Sequence, residues 1–279
     1  MRLLRFLTRR KHIGEVNASS DFVFQLSNHR LQYTAGGRTL IVSFDNAARP
    51  LNEKYVGRHT WGQKFYLGQG HSLLGVIARR RDWYRRYDLI EAFEAIKNQG
   101  FFESFSNVVF TGGSMGGYAA AAFAPFAPGC KVVAYSPQST LKPDITPWEN
   151  RFPEGTRQNW SLPFWDGADG VRHAGLCYII YDNLDTFDRR HADRLSVGPH
   201  VVNLPIPGAG HGGAPMLNQI GIFKEVNRAM IAGKLDPKWF FKTIRARRGT
   251  LLYREVLANH ALARNHPTFA ECVHRLAGP

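Results

Sequence analysis

Cysteine is scarce in this 279-residue chain: Cys130, Cys177 and Cys272 form an odd set with no C-x-x-C pair. That argues against a disulfide-stapled scaffold and for a reducing compartment. Cys177, inside the apolar run "LCYII", reads as a buried core thiol. Long apolar runs are missing as well, and none reaches the length that spans a bilayer. The basic N-terminus "MRLLRFLTRRKHIGEV" has its apolar stretches interrupted by Arg5, Arg9 and Arg10, so it lacks the continuous core of a secretory signal. A cytoplasmic protein is expected, with that N-terminus forming a short amphipathic helix on the protein's own surface. No H-x-x-x-H or cysteine pair is present, so neither a metal nor another cofactor is expected.

Acidic residues are also few: 22 Asp and Glu face 36 Lys and Arg, a formal net charge of +14. Such a balance suits anionic partners, among them acidic substrates and the surface of an anionic membrane. Nucleic acid is disfavoured, because no recognisable binding motif accompanies the charge, which is spread over loops, termini and tail. Apolar residues make up 44%, enough for a sizeable core.

What is present is an alternation of strands and helices. "DFVFQLS" and "RLQYTA" read as a hairpin; "TLIVSF", "HSLLGVIA", "NVVFTG", "KVVAYSP", "LCYIIYD" and "HVVNLPI" read as further strands. Between them lie helical patterns such as "RRYDLIEAFEAIKNQG", "DRRHADRL" and "LNQIGIFKEVNRAMIAG". Strands apolar on both faces, alternating with helices, predict an α/β fold with a mostly parallel central sheet flanked by helices on both sides. The pattern places this domain at residues 1–236 and a helical extension at 237–279. The Pro- and Trp-rich stretch 138–175 is long for a connection and reads as a lid or cap insertion.

One stretch carries the chemistry: "VVFTGGSMGGYAAAAFA", residues 108–124. An apolar strand ends at Gly112-Gly113, Ser114 follows, and Gly116 precedes a small-residue helix, a G-x-S-x-G pattern. A serine between strand and helix needs a tight, strained turn, and glycines two residues away on either side remove the collision with the neighbouring backbone. Its hydroxyl is then held clear of the sheet at a helix N-terminus, where developing negative charge is favoured. A phosphate loop would need lysine where Tyr118 stands, and a dinucleotide fingerprint would need glycine in place of Ser114.

With this motif and strand–helix order, residues 20–235 resemble the α/β-hydrolase superfamily. The resemblance implies a serine hydrolase with the chain order nucleophile, acid, histidine. Ser114 is then the nucleophile, and His211, in the loop "PIPGAGHGGAPM" after the last strand, the base. The superfamily's acid usually lies about three residues past its strand, which on "YDNLDTFD" selects Asp185, with Asp182 second and Asp188 read as a helix cap. The oxyanion hole would take the amide of Met115 and, by the superfamily pattern, that of Asn46, with Asp45 as alternative. The chain carries Phe44-Asp45 where a His-Gly pattern is common, and only backbone is required there.

The loop "ARRRDWYRR" (78–86) should emerge on the same sheet edge. Arg79, Arg80 and Arg81, with Trp83, are expected to bind an anionic substrate, and Arg85 and Arg86 add to the same basic run. The function expected is hydrolysis of a carboxylic ester, borne by a small molecule or a polymer, through an acyl-enzyme. The alternatives are peptidase, thioesterase or acyltransferase chemistry, or a non-catalytic protein that uses the scaffold to bind anionic polymer or membrane.

Overall fold

The computed structural model describes residues 13–46 and 58–275, with side chains to residue 273. The expected N-terminal amphipathic helix falls almost wholly outside this range. Eight strands form one sheet: β1 (Phe22–Gln25), β2 (His29–Thr34), β3 (Gly37–Phe44), β4 (His71–Ala78), β5 (Asn107–Gly113), β6 (Lys131–Tyr135), β7 (Leu176–Tyr181) and β8 (Val201–Pro205). Their spatial order is β1-β2-β4-β3-β5-β6-β7-β8. β1 and β2 form the expected antiparallel hairpin, β2 runs antiparallel to β4, and β3 to β8 are parallel.

Both faces of β3 to β7 are buried along most of their length, as their continuous apolar runs require, while the edge strand β8 is half-buried. In β3, Leu40, Val42 and Phe44 face one core with Phe93, while Ile41 faces a second with Val226 and Met230. Helices before the site region are α1 (Gln63–Gly68), α2 (Tyr87–Asn98), α3 (Met115–Ala122), α4 (Pro153–Thr156), α5 (Gly167–Val171) and α6 (Thr186–Leu195). The run "LNQIGIFKEVNRAMIAG" is not one helix: Gly221 (φ 77°) ends α7 (Gly213–Gln219) before α8 (Phe223–Ala232) begins. The tail adds α9 (Pro237–Thr243), α10 (Leu251–Ala263) and α11 (Pro267–Arg275).

The order in which strands join the sheet reverses at β3, since β4 lies on one side of β3 and β5 to β8 on the other. Such a switch point leaves a crevice at the C-terminal strand ends. The register brings Phe44 beside Gly112, and Gly113 beside Tyr135, so the ends of β3, β5 and β6 lie level.

The segment after β4 is not the solvated basic loop its composition suggests. Trp83, Tyr84 and Arg85 are buried. Arg85 donates to the carbonyls of Leu162 (2.6 Å), Pro163 (2.9 Å) and Phe164 (2.9 Å), and to that of Asn159 (3.3 Å). It also reaches the Tyr118 hydroxyl at 3.3 Å, tying the 159–164 loop to α3. Arg80 is exposed. Arg85→Met would leave four carbonyls without their donor, so a loss of about 3 kcal/mol in urea unfolding is expected, whereas Arg80→Ala should change stability by less than about 0.5 kcal/mol.

Candidate active site

Ser114 sits at φ 52°, ψ −117°, a strained conformation for a residue with a side chain, between β5 and α3. The turn closes because two glycines admit backbone contact. A Cβ on Gly112 would lie 2.5 Å from the Gly116 carbonyl, and one on Gly116 would lie 2.5 Å from the Phe44 carbonyl oxygen and 2.7 Å from that of Asp45. The same contact presses the end of β3, and with it Asn46, against the elbow. The Ser114 amide donates to the Tyr135 carbonyl (2.8 Å), which fixes the turn to β6.

His211 stands in the loop after β8, with Nε2 2.8 Å from Ser114 Oγ. Its Nδ1 lies 2.8 and 3.0 Å from the two carboxylate oxygens of Asp188. A carboxylate only accepts, so Nδ1 carries the proton and Nε2 accepts from the serine hydroxyl.

The carboxylate on His211 is therefore that of Asp188, and the expectation of Asp185 is corrected. Asp185 is the N-cap of α6 and accepts from the amides of Phe187 and Asp188, both at 2.9 Å. Asp188 lies three residues on, in the first helical turn, and is buried. The signal was available as "D-T-F-D": a cap residue followed three positions later by a second acid marks a helix start. Asp182 shapes the base's loop instead, accepting from the amides of Leu184 (2.8 Å), Gly208 (3.1 Å) and Gly210 (2.7 Å). Burial raises its carboxyl above the ordinary range against those three bonds.

The tail reaches the same loop. Arg247 Nε donates to the Pro207 carbonyl (2.7 Å) and its guanidinium lies over the Tyr253 ring, which rests on Gly208.

Burial would raise the Asp188 carboxyl, but the bond from His211 and the charge of Arg151 outweigh it and hold it below its ordinary value. Arg151, which the sequence reading missed, contacts Glu149 (2.6 Å), Asp188 (2.9 Å) and Asp185 (3.3 Å). Glu149 also accepts from His191 (3.0 Å), whose Nδ1 accepts from the Ser139 amide (3.0 Å). His191 is thus buried and neutral, not a surface residue on its helix. Nothing periodic marks Glu149 or Arg151, which lie in the 138–175 segment.

Ser114, His211 and Arg151 border a cavity of about 690 Å³, with Asp188 and Glu149 buried behind them. Asn46, Arg81, Trp83, Ser114 and His211 all line it, with Trp61 and Phe223 as aromatic wall. Phe152 lies against the His211 ring, 5.7 Å between centroids. Arg79 and Arg80 are exposed and do not line the cavity, which corrects their placement at the substrate. The segment expected as a lid packs into the fold and supplies Arg151, Phe152 and Glu154 to the wall. The Met115 amide opens α3, where first-turn N–H groups have no intrahelical acceptor. No described helix is long and apolar enough to cross a membrane.

No protein-family model and no curated protein matches the chain. Among solved structures it is similar to the capsule O-acetyltransferase of Neisseria meningitidis serogroup A, with TM-score 0.52, 16% identity, 75% of this chain and 94% of that chain covered. It is similar also to the glycosylation associate protein (Gap123) complex of Streptococcus agalactiae, with TM-score 0.50, 14% identity and 77% and 47% covered. Est1E from Butyrivibrio proteoclasticus follows with TM-score 0.49, 13% identity and 77% and 100% covered. The likeness is one of fold, and that fold is the α/β-hydrolase fold.

The Glu149–His191 pair makes stability depend on acid. Burial would raise the Glu149 carboxyl, but hydrogen bonds from His191 and Arg151 bring it from 4.5 down to about 2. Burial pushes His191 below its ordinary 6.5. Both groups bind fewer protons folded than unfolded, so stability falls as pH drops below 6.5 and further between 4.5 and 2. Glu149→Gln should cost about 3 kcal/mol at pH 7 and flatten the lower part of that slope in urea titrations. An unchanged slope would contradict the assignment.

Proposed function

We propose that this chain is a serine hydrolase that cleaves carboxylic esters through an acyl-enzyme on Ser114. The observation that carries the reading is the relay of the Ser114 hydroxyl to His211 Nε2 (2.8 Å) and of Nδ1–H to Asp188 (2.8 Å), facing an open cavity. As Ser114 Oγ attacks the ester carbonyl, His211 takes its proton, and Asp188 stabilises the imidazolium. The amides of Met115 and Asn46 would hold the oxyanion. The tetrahedral intermediate collapses, the C–O bond to the alcohol breaks, and His211 returns the proton to the departing oxygen. Water then attacks the acyl-enzyme by the same route in reverse.

The cavity favours an uncharged acyl group. Trp61, Phe152 and Phe223 give it aromatic walls. Of its two arginines, Arg81 pairs with Glu154 (3.6 Å) and Arg151 with the three carboxylates around Asp188. A capsule O-acetyltransferase shares the fold, so the same acyl-enzyme could pass its acyl group to a hydroxyl acceptor. Adding a sugar alcohol to the assay and separating acid from new ester distinguishes the two fates.

The test is covalent. A fluorophosphonate probe should label the wild-type chain and fail on Ser114→Ala and His211→Ala. A folded wild type that never labels would instead favour a binding protein on a hydrolase scaffold. Between the two acids, Asp188→Asn should lower kcat by about 10⁴-fold. Asp185→Asn should leave it within about threefold, since asparagine caps a helix as well as aspartate. The reverse order in nitrophenyl-ester hydrolysis would return the role to Asp185.

A further inference from the structure

Gln138, three residues past the end of β6, is fully buried with a polar side chain beside the serine elbow. Its Oε1 lies 3.0 Å from the Trp83 indole nitrogen, and its Nε2 lies 3.4 Å from Ser114 Oγ. The indole N–H only donates, so it must face the amide oxygen. The amide can therefore turn only one face to Ser114, its N–H₂. The serine oxygen, whose own proton is directed to His211, accepts.

The orientation of Trp83 is enforced. Trp83 and Tyr84 both adopt positive φ, 49° and 56°, unfavourable for large side chains. Asp82 holds that turn by accepting from the Tyr84 amide (3.1 Å), with His29 (3.1 Å) and Asn28 (3.2 Å) on its carboxylate. The His29 ring stacks on Tyr84, and Phe152 and Gly155 enclose the indole. Backbone strain sustained at two successive residues, ending in one indole N–H on one buried amide, marks a placed donor.

We propose that Gln138 is a catalytic residue that donates a hydrogen bond to the reacting oxygen of Ser114, distinct from the backbone donors to the substrate's oxyanion. The proposal rests on the serine-hydrolase reading. During acylation, Oγ gains negative character as its proton passes to His211, and the Gln138 N–H stabilises it. During deacylation, the bond between the acyl carbon and Oγ breaks, the electron pair stays on Oγ, and the imidazolium returns the proton. The same N–H stabilises that departing oxygen, and Gln138 itself exchanges no proton. The bond is long in the resting site and tightens as charge builds. Trp83 is the positioning residue that keeps the amide from rotating.

The experiment compares wild type, Gln138→Met and Trp83→Phe in burst kinetics on a nitrophenyl acetate and in the rate of fluorophosphonate labelling. Gln138→Met keeps the volume and removes the donor. It should lower both kcat and labelling rate by about tenfold, less than the roughly hundredfold of a donor aimed at the oxyanion, because this bond is long at 3.4 Å. Trp83→Phe should lose in the same direction by freeing the amide to flip, and the double variant should lose no more than Gln138→Met alone. If Gln138→Met fails to fold, Trp83→Phe decides. A folded Gln138→Met or Trp83→Phe with wild-type kcat and labelling overturns the proposal while Ser114 keeps its role. A wild type that neither labels nor turns over ester overturns the reading of Ser114, and this proposal with it.

Discussion

Everything at the site depends on one close approach: the backbone at Gly116 resting on the carbonyls of Phe44 and Asp45. With no Cβ in the way, α3 starts directly against the end of β3, and Ser114 is left at a strained corner above the crevice between β3 and β5. That contact sets Ser114 beside the loop carrying Asn46, and it aims the α3 N-terminus at the place where an attacked carbonyl would sit. Strain at Ser114 is tolerated because its amide is tied to β6 and its carbonyl to Tyr118.

The segment 82–85 is the second frame, and each of its residues holds a different part of the site. Asp82 fixes the turn, Trp83 orients Gln138, Tyr84 donates to the Asp45 carbonyl (2.8 Å), and Arg85 gathers the 159–164 loop. The Tyr84 bond bears on the same Asp45 carbonyl that meets Gly116, so the two frames meet at one atom. A stretch whose composition suggests a charged surface is largely interior scaffold.

Charge near His211 is balanced within the protein. Arg151 pairs with Asp188, Asp185 and Glu149, and its charge helps hold the buried Asp188 and Glu149 carboxyls below their ordinary values. Asp188 can then hold the imidazole while its own charge is tempered by the guanidinium. The loop that carries His211 is shaped from the other side by Asp182 and, through Pro207, by Arg247 of the tail.

The sequence by itself determined the strand order along the chain, the elbow, and the identity of Ser114 and His211 as a pair worth testing. These rest on local chemistry: apolar runs long enough for buried strands, glycines at the two positions where a Cβ would collide, and a loop histidine after the last strand. Only the tertiary structure decided which aspartate meets His211, because Asp182 directly after β7, the cap Asp185 and Asp188 in the first turn of α6 lie within seven residues, and folding alone shows which one points at the imidazole. Likewise Arg85 and Arg80 are alike as letters, and burial separated an anchor from a surface charge. Gln138, Glu149 and Arg151 leave no periodic trace, since apart from the Glu149–Arg151 pair itself their partners are 24 to 55 residues away and meet them only when the chain folds.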